Sequence, residues 1–391
     1  MRFSEREKIA AVGEGSLAPC RPPGPDAPRR RGLPARAAIA ALLAMALSSS
    51  ACGTGGADVP AAAPAQGVRP PPGPPPLALV DGVTPSVIDA PGVTGLSDLT
   101  IDDEGQLWAV PERNRVLLRM RADGGAPQAI PVEGVPSTLD TEGVTWLGDG
   151  RFALATESKD PRRFSDVLLF ARLVDGGARI AVERTVALDY SRWPFRPLGN
   201  QGIEGVCSAG RALVAAVESV QESAAGRFAP VAVYDLVSGG WTPYLVRLTS
   251  ATGKLSAVTC RMRGGAIDVL AVERHFEVAH LTRFALPGPE AMPARPVSTP
   301  AGTEPPPPVE IESVLVADLA PLIQDRENFE GLVWDGDRAI TLIVDNDWAG
   351  VSGPNLLVHA RLRGAVPSPP LPPAPPARAP APASPPAHTG R

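Results

Sequence analysis

A chain of 391 residues, 44% hydrophobic and 20% charged with a formal net charge of −5, has room for two or three domains. Its 47 prolines crowd toward the two ends, however, which leaves one large body from about Leu77 to about Leu362. No part of that body clusters Lys and Arg as nucleic-acid binding requires, so no nucleic-acid partner is expected. The four cysteines form no CxxC pair and only four histidines are present, which excludes zinc ribbons, thioredoxin-type redox centres and a His-rich metal site.

Residues 1–52 read as an export segment. Arg29, Arg30, Arg31 and Arg36 give it a positive start, and Ala37 to Leu47 (AAIAALLAMAL) is an apolar run too short to stay in a bilayer as a spanning helix. Small residues from Ser48 to Ala51 then lead to Cys52, an arrangement that resembles a bacterial lipoprotein cleavage site with Cys52 as the lipidated residue. Ser49 departs from that pattern, because Leu is commonest there. The expectation is a lipid anchor on Cys52 that holds the protein to a membrane at the cell envelope; cleavage near Ala51 and release to the periplasm or medium is the alternative.

Residues 53–76, ending in RPPPGPPP, hold almost no large apolar side chain and are expected to form an extended stalk. Residues 365–391 have the same character and read as a disordered tail, while Pro305 to Pro308 interrupts the body without ending it.

The body, 77–364, repeats itself. Five segments share a turn, an apolar strand, a tight turn, a second apolar strand and an acidic residue. They are GLSDLTIDDEGQLWAVPE from Gly95, EGVTWLGDGRFALATE from Glu142, EGVCSAGRALVAAVE from Glu204, KLSAVTCRMRGGAIDVLAVE from Lys254 and EGLVWDGDRAITLIVD from Glu330. Further strand-like runs lie between them, among them Val167 to Leu173, Ile180 to Leu188, Val231 to Leu236, Leu245 to Leu248 and His280 to Leu286. A four-stranded unit with two apolar faces must pack radially against its neighbours. The predicted fold is therefore all-β, a β-propeller of about five four-stranded blades. The outer strand missing from the last repeat is expected from the segment around Leu77 to Val87. A sixth blade near that segment, or between Leu286 and Leu319, stays open.

At these motifs the chain resembles the phytase-like, or esterase-like, family of bacterial propeller proteins. The resemblance rests on Gly95-Leu96-Ser97, on Asp140-Thr141-Glu142-Gly143, and on Asn200-Gln201-Gly202-Ile203-Glu204-Gly205. It continues through Leu270-Ala271-Val272-Glu273-Arg274-His275-Phe276, then Asn328-Phe329-Glu330-Gly331 with Asp345-Asn346-Asp347, and covers about 95 to 362. Pro111-Glu112 departs from it, standing where the family usually has an Asp pair. The family name implies ester or phosphate-ester hydrolysis by distant kinship.

The recurring carboxylates supply the candidate chemistry. Glu142, Glu204 and Glu330 precede first strands, while Glu112, Glu157, Glu218, Glu273 and Asp345 follow second strands, so antiparallel pairing should bring both sets to one end of the wheel. Glu204, Glu330, Glu273 and Arg274 are the expected catalytic residues. Glu142, Glu204, Glu330, Asp345 and Asn346 are the expected ligands of a metal, with Ca²⁺ the natural choice for an all-oxygen set. Asn114 and Asn200 could add ligands, and Arg274 could instead balance the acids from within. His275 is a possible acid or base. Neither a GxSxG elbow nor a GxxxxGK loop is present. Cys207 and Cys260, in the first strands of consecutive repeats, are either bridged or two separate thiols, and their one-position offset argues for opposite faces. The functional expectation is a metal-dependent hydrolase of an ester or phosphoester ligand. The alternatives are a non-enzymatic binding scaffold and a lactonase similar to the gluconolactonase family.

Overall fold

The computed structural model describes residues 85–194, 197, 199–275, 278–291, 307–322, 328–336, 338–345, 353–363 and 369. The export segment with Cys52, the stalk and all of the proline-rich tail but residue 369 lie outside these residues, as does Asn346. Strand dominates for a reason visible in Ala212–Val217 (ALVAAV), where all six side chains are buried. Ala212, Val214 and Ala216 pack into one apolar cluster, whereas Leu213, Ala215 and Val217 pack into another. That is the period-two alternation of a strand lying between two layers.

Five antiparallel sheets result. The first comprises Leu96–Ile101, Leu107–Pro111, Val116–Met120 and Gln128–Glu133. The second comprises Leu139–Trp146, Arg151–Ser158, Ser165–Val174 and Arg179–Asp189, and its outer edge joins that of the first through Val132↔Ile180 and Glu133↔Ala181. Ile203–Ala209, Ala212–Val217, Gly226–Asp235 and Trp241–Arg247 form the third. Lys254–Arg263, Ala266–His275, Val278–Pro287 and Val314–Asp318 form the fourth. The fifth takes Phe329–Asp335, Ala339–Val344 and Asn355–Arg361 from the end of the body and Ser86–Ile88 from its beginning. Ser86↔Leu357, Val87↔Leu356 and Ile88↔Asn355 thus close the ring with a strand from the predicted segment.

Five apolar clusters, one between each pair of neighbouring sheets, complete the wheel. The innermost strands pack in the cyclic order of the chain, and the strand from Phe329 returns to the one from Leu96. The protein is a five-bladed β-propeller. No sixth sheet is present among the described residues. The stretch between Leu286 and Leu319 instead finishes the fourth blade and adds Val309–Ile311, in parallel, to the edge of the third.

At the hub every innermost strand is bulged at the same point, between Leu96/Asp98, Thr141/Gly143, Ile203/Gly205, Leu255/Ala257 and Phe329/Gly331. The extra residue is Ser97, Glu142, Glu204, Ser256 or Glu330, and all five are buried. Glycine follows glutamate each time because the next blade leaves no space for a side chain. A Cβ on Gly205 would lie 2.9 Å from the Val258 nitrogen, and one on Gly331 would lie 2.8 Å from the Asp98 Cα.

Candidate functional site

Antiparallel register brings the bulged residues and the ends of the second strands to one end of the axis. Asp140 pairs with Glu157, Ile203 with Val217, Leu255 with Glu273 and Phe329 with Val344. Glu142, Glu204 and Glu330 therefore stand beside Glu157, Glu218, Glu273 and Asp345, in four of the five blades. All seven are buried, and Glu157 and Glu273 fully so, at 0% exposure. Glu112, the counterpart in the first blade, is half-exposed and pairs with Arg113 at 3.3 Å.

Buried carboxylates this close repel one another unless partners intervene. Most have one. The Arg274 guanidinium grips Glu330 with two nitrogens, Nε at 3.1 Å from Oε2 and a second donor on Oε1. Lys254 pairs with Glu218. Arg163, itself only 7% exposed, holds Asp166 at 2.9 Å and Glu157 at 3.3 Å, while the Tyr190 hydroxyl donates to Asp166 and the Gly202 N–H to Glu157. Asn328 donates to Asp345 at 2.8 Å. Glu273, expected among the catalytic groups, accepts from the backbone N–H and hydroxyl of both Thr249 and Ser250. Those four bonds and its complete burial make it the anchor of the turn that feeds the fourth blade, with no surface left for a substrate.

Two carboxyls are left over. Glu142 and Glu204, on adjacent inner strands, have no hydrogen bond or ion pair among the described residues. Burial, followed by the charges of Glu112, Glu157, Glu330 and Asp140, pushes Glu142 well above the usual carboxylate range. Burial, followed by Glu218, Glu142, Glu157 and Glu330, does the same to Glu204. Burial also lifts Glu330, to about 7, with Arg274 offsetting part of the rise. Glu157 is lifted by burial to about 8, against the pull of the Gly202 N–H and Arg163.

Calcium takes six to eight oxygens, about 2.3–2.6 Å away. Among the described residues no group of three or more His, Cys, Asp or Glu side chains is placed to hold a metal ion. Of the expected ligands, Glu330 is already closed on Arg274 and Asp345 accepts from Asn328, so the set as described does not fit the ion. Asn200 is exposed, and Asn114 reaches only the Gly92 carbonyl, at 3.5 Å. His275 is half-buried at the end of the second strand of the fourth blade.

Cys207 and Cys260 form a disulfide with Cα atoms 5.7 Å apart. Facing sides of neighbouring strands are opposite sides of each strand, so a one-position offset turns the two sulfurs toward each other. Both pack into the apolar cluster between the third and fourth blades. Beyond the disulfide, at the other end of the axis, lies a cavity of about 760 Å³ lined by Trp146, Trp334 and inner-strand hydroxyls. Its Thr100 and Thr259 hydroxyls already accept from the backbone N–H groups of Trp146 and Trp334, at 3.1 and 3.2 Å. The carboxylate end carries the candidate chemistry.

A propeller whose hub gathers buried acids and a few basic partners at one end of its axis is the class that fold and site define. Over residues 91–348 the sequence matches the model of the phytase-like family, described as esterase-like activity of phytase, and the chain belongs to that family. Among curated proteins none matches the sequence. The fold is similar to that of the PQQ-bound aldose sugar dehydrogenase from Streptomyces coelicolor, at 12% identity and a TM-score of 0.38 over 73% of this chain and 100% of that one. It is also similar to the major allergen Mala s 1 of Malassezia sympodialis, at 8% identity and a TM-score of 0.44 over 69% and 93% of the two chains. A gluconolactonase from Xanthomonas campestris matches at 10% identity and a TM-score of 0.35 over 68% and 71%. These likenesses are of architecture.

Proposed function

We propose that the protein is a hydrolase of ester or phosphoester substrates that works at the carboxylate end of its axis. The observation that carries this reading is the pair Glu142 and Glu204, buried, adjacent and without a hydrogen-bond partner among the described residues. A carboxyl held neutral near pH 7 can give a proton to a departing oxygen, and an ionised neighbour can take one from the attacking water. Mutual repulsion favours that state, one acid protonated and one not. Arg274, with Glu330, supplies the positive group that would draw an anionic substrate and steady charge developing on it. No step is assigned to a metal. In the cell, the export segment and Cys52 support a lipid-anchored protein at the envelope, which incorporation of labelled fatty acid lost in Cys52→Ala would test.

The test is a panel of aryl phosphates, carboxyl esters and lactones, assayed with Ca²⁺, Mg²⁺ or Mn²⁺ and with a chelator. Turnover that falls by about two orders of magnitude or more in Glu204→Gln and in Glu142→Gln, with melting temperatures retained, is the expected result. The non-enzymatic binding reading draws on the closed pairs Arg274–Glu330 and Lys254–Glu218. Absence of turnover across the panel would favour it.

A further inference from the structure

The innermost strand of each blade is an edge strand whose free side faces the axis, so its N–H groups need partners that no sixth strand provides. At the level just past the bulges one side chain meets several of them. Asp98, only 1% exposed, accepts the Val144 N–H at 3.0 Å on one oxygen and its own neighbour's, Leu99, at 2.8 Å on the other. The backbone N–H groups of Val206 and Leu332 act on this carboxyl from two further blades, each favouring its charged form. The donors come from four of the five blades. Three of them, Val144, Val206 and Leu332, stand two residues after the bulged Glu142, Glu204 and Glu330.

The sequence arranges for one such side chain and no more. The positions equivalent to Asp98 are Gly143, Gly205, Ala257 and Gly331. Inward-directed backbone N–H groups make a concentrated positive potential, the basis of anion-binding nests. We propose that the hub of this propeller is an anion-binding site, built from main-chain N–H groups of four blades, and that Asp98 is its resident anion. The ligand class is a small carboxylate or comparable monoanion. Burial opposes the charge on Asp98 and raises its pKa, and all four amides oppose that rise. An acid proton would find no acceptor among four donors. The site is independent of any hydrolytic activity.

Chemical rescue tests it. Asp98→Gly in the full chain empties the site, and Asp98→Asn fills it with an amide whose NH₂ faces N–H groups. Thermal unfolding is followed while sodium formate is titrated, with sodium sulfate at matched ionic strength as the control. The expected result is a melting temperature lowered by several degrees in both variants. Formate should then restore at least half of the loss in Asp98→Gly, saturably, with no such effect on Asp98→Asn or the unaltered protein. Should Asp98→Gly unfold, its refolding yield with formate and with sulfate is compared instead, and formate is expected to raise it. An Asp98→Asn protein as stable as the unaltered one would overturn the proposal, as would an Asp98→Gly protein that responds equally to formate and sulfate.

Discussion

Replacing Arg274 by Met keeps an unbranched chain of similar bulk and removes the charge that faces Glu330. The two side chains are 18% and 10% exposed, so little water can take the guanidinium's place. Breaking one side of a buried ion pair costs roughly 3–5 kcal/mol, because the remaining charge is stranded. With some exposure on both partners the low end applies, about 3 kcal/mol, or roughly a hundredfold in the folding equilibrium. The cost must depend on pH. Glu330 titrates at about 7 in the folded protein, above the ordinary carboxyl value, so its contribution is complete in acid and is lost as pH rises through 7. Without Arg274 the folded carboxyl titrates higher still, and the loss continues further into the alkaline range. Urea unfolding at pH 5.5 and 8.5 should therefore show about 3 kcal/mol at the higher pH and about 1 kcal/mol, the scale of one hydrogen bond, at the lower. The double variant Arg274→Met/Glu330→Gln should regain most of the difference. Equal losses at both pH values would refute the assignment of Glu330 as a buried acid balanced by Arg274.

Gly331→Ala forces a Cβ to within 2.7 Å of the Ile343 and Leu99 side chains and 2.8 Å of the Asp98 Cα, which belongs to the backbone of the next blade. A loss of roughly 1–3 kcal/mol in chemical unfolding is expected, and an unchanged midpoint would deny the close packing of hub strands. Glu157, raised to about 8, contributes stability in full below its unfolded pKa and loses it as pH climbs through 8. Glu157→Gln should therefore flatten the fall in melting temperature between pH 5 and 9, and an unchanged slope would show that another group causes it. The Cys207–Cys260 bridge closes a chain segment of 53 residues, for which loop entropy gives about 4 kcal/mol. Its double Ala variant should unfold at correspondingly lower urea, and free thiols in the unreduced, denatured protein would remove the bridge altogether.

The wheel was legible because each blade restates one pattern, and the restated Glu-Gly pairs mark where hub strands bulge. Strand runs such as Val167 to Leu173 reappear inside the slightly longer Ser165–Val174, since apolar alternation reports burial better than it reports ends. Partners were much less visible. Asp98 sits inside the first repeat motif, but nothing in a linear pattern says that its carboxyl reaches N–H groups of three other blades. Arg163, Asp166 and Tyr190 lie between the repeats, where no periodicity flags them. Glu273 repeats the position of Glu157 and Glu218, yet two hydroxyl residues in a preceding turn, Thr249 and Ser250, give it a different part. The one-position offset of Cys207 and Cys260 reads along a single strand as a mismatch, and only across two facing strands as a match. Val309–Ile311 follows the Pro305 to Pro308 interruption, and the blade whose edge it extends is set by the ring.

The functional account stands on the Glu142 and Glu204 pair keeping one proton between them at a pH where ordinary carboxyls have lost theirs. Infrared difference spectroscopy of the full chain near neutral pH, in the stretching region of protonated carboxyl groups, reads this directly. The account predicts a protonated-carboxyl band that weakens in Glu142→Gln and in Glu204→Gln and fades as pH is raised. A spectrum without such a band, or a band that neither substitution alters, would contradict it.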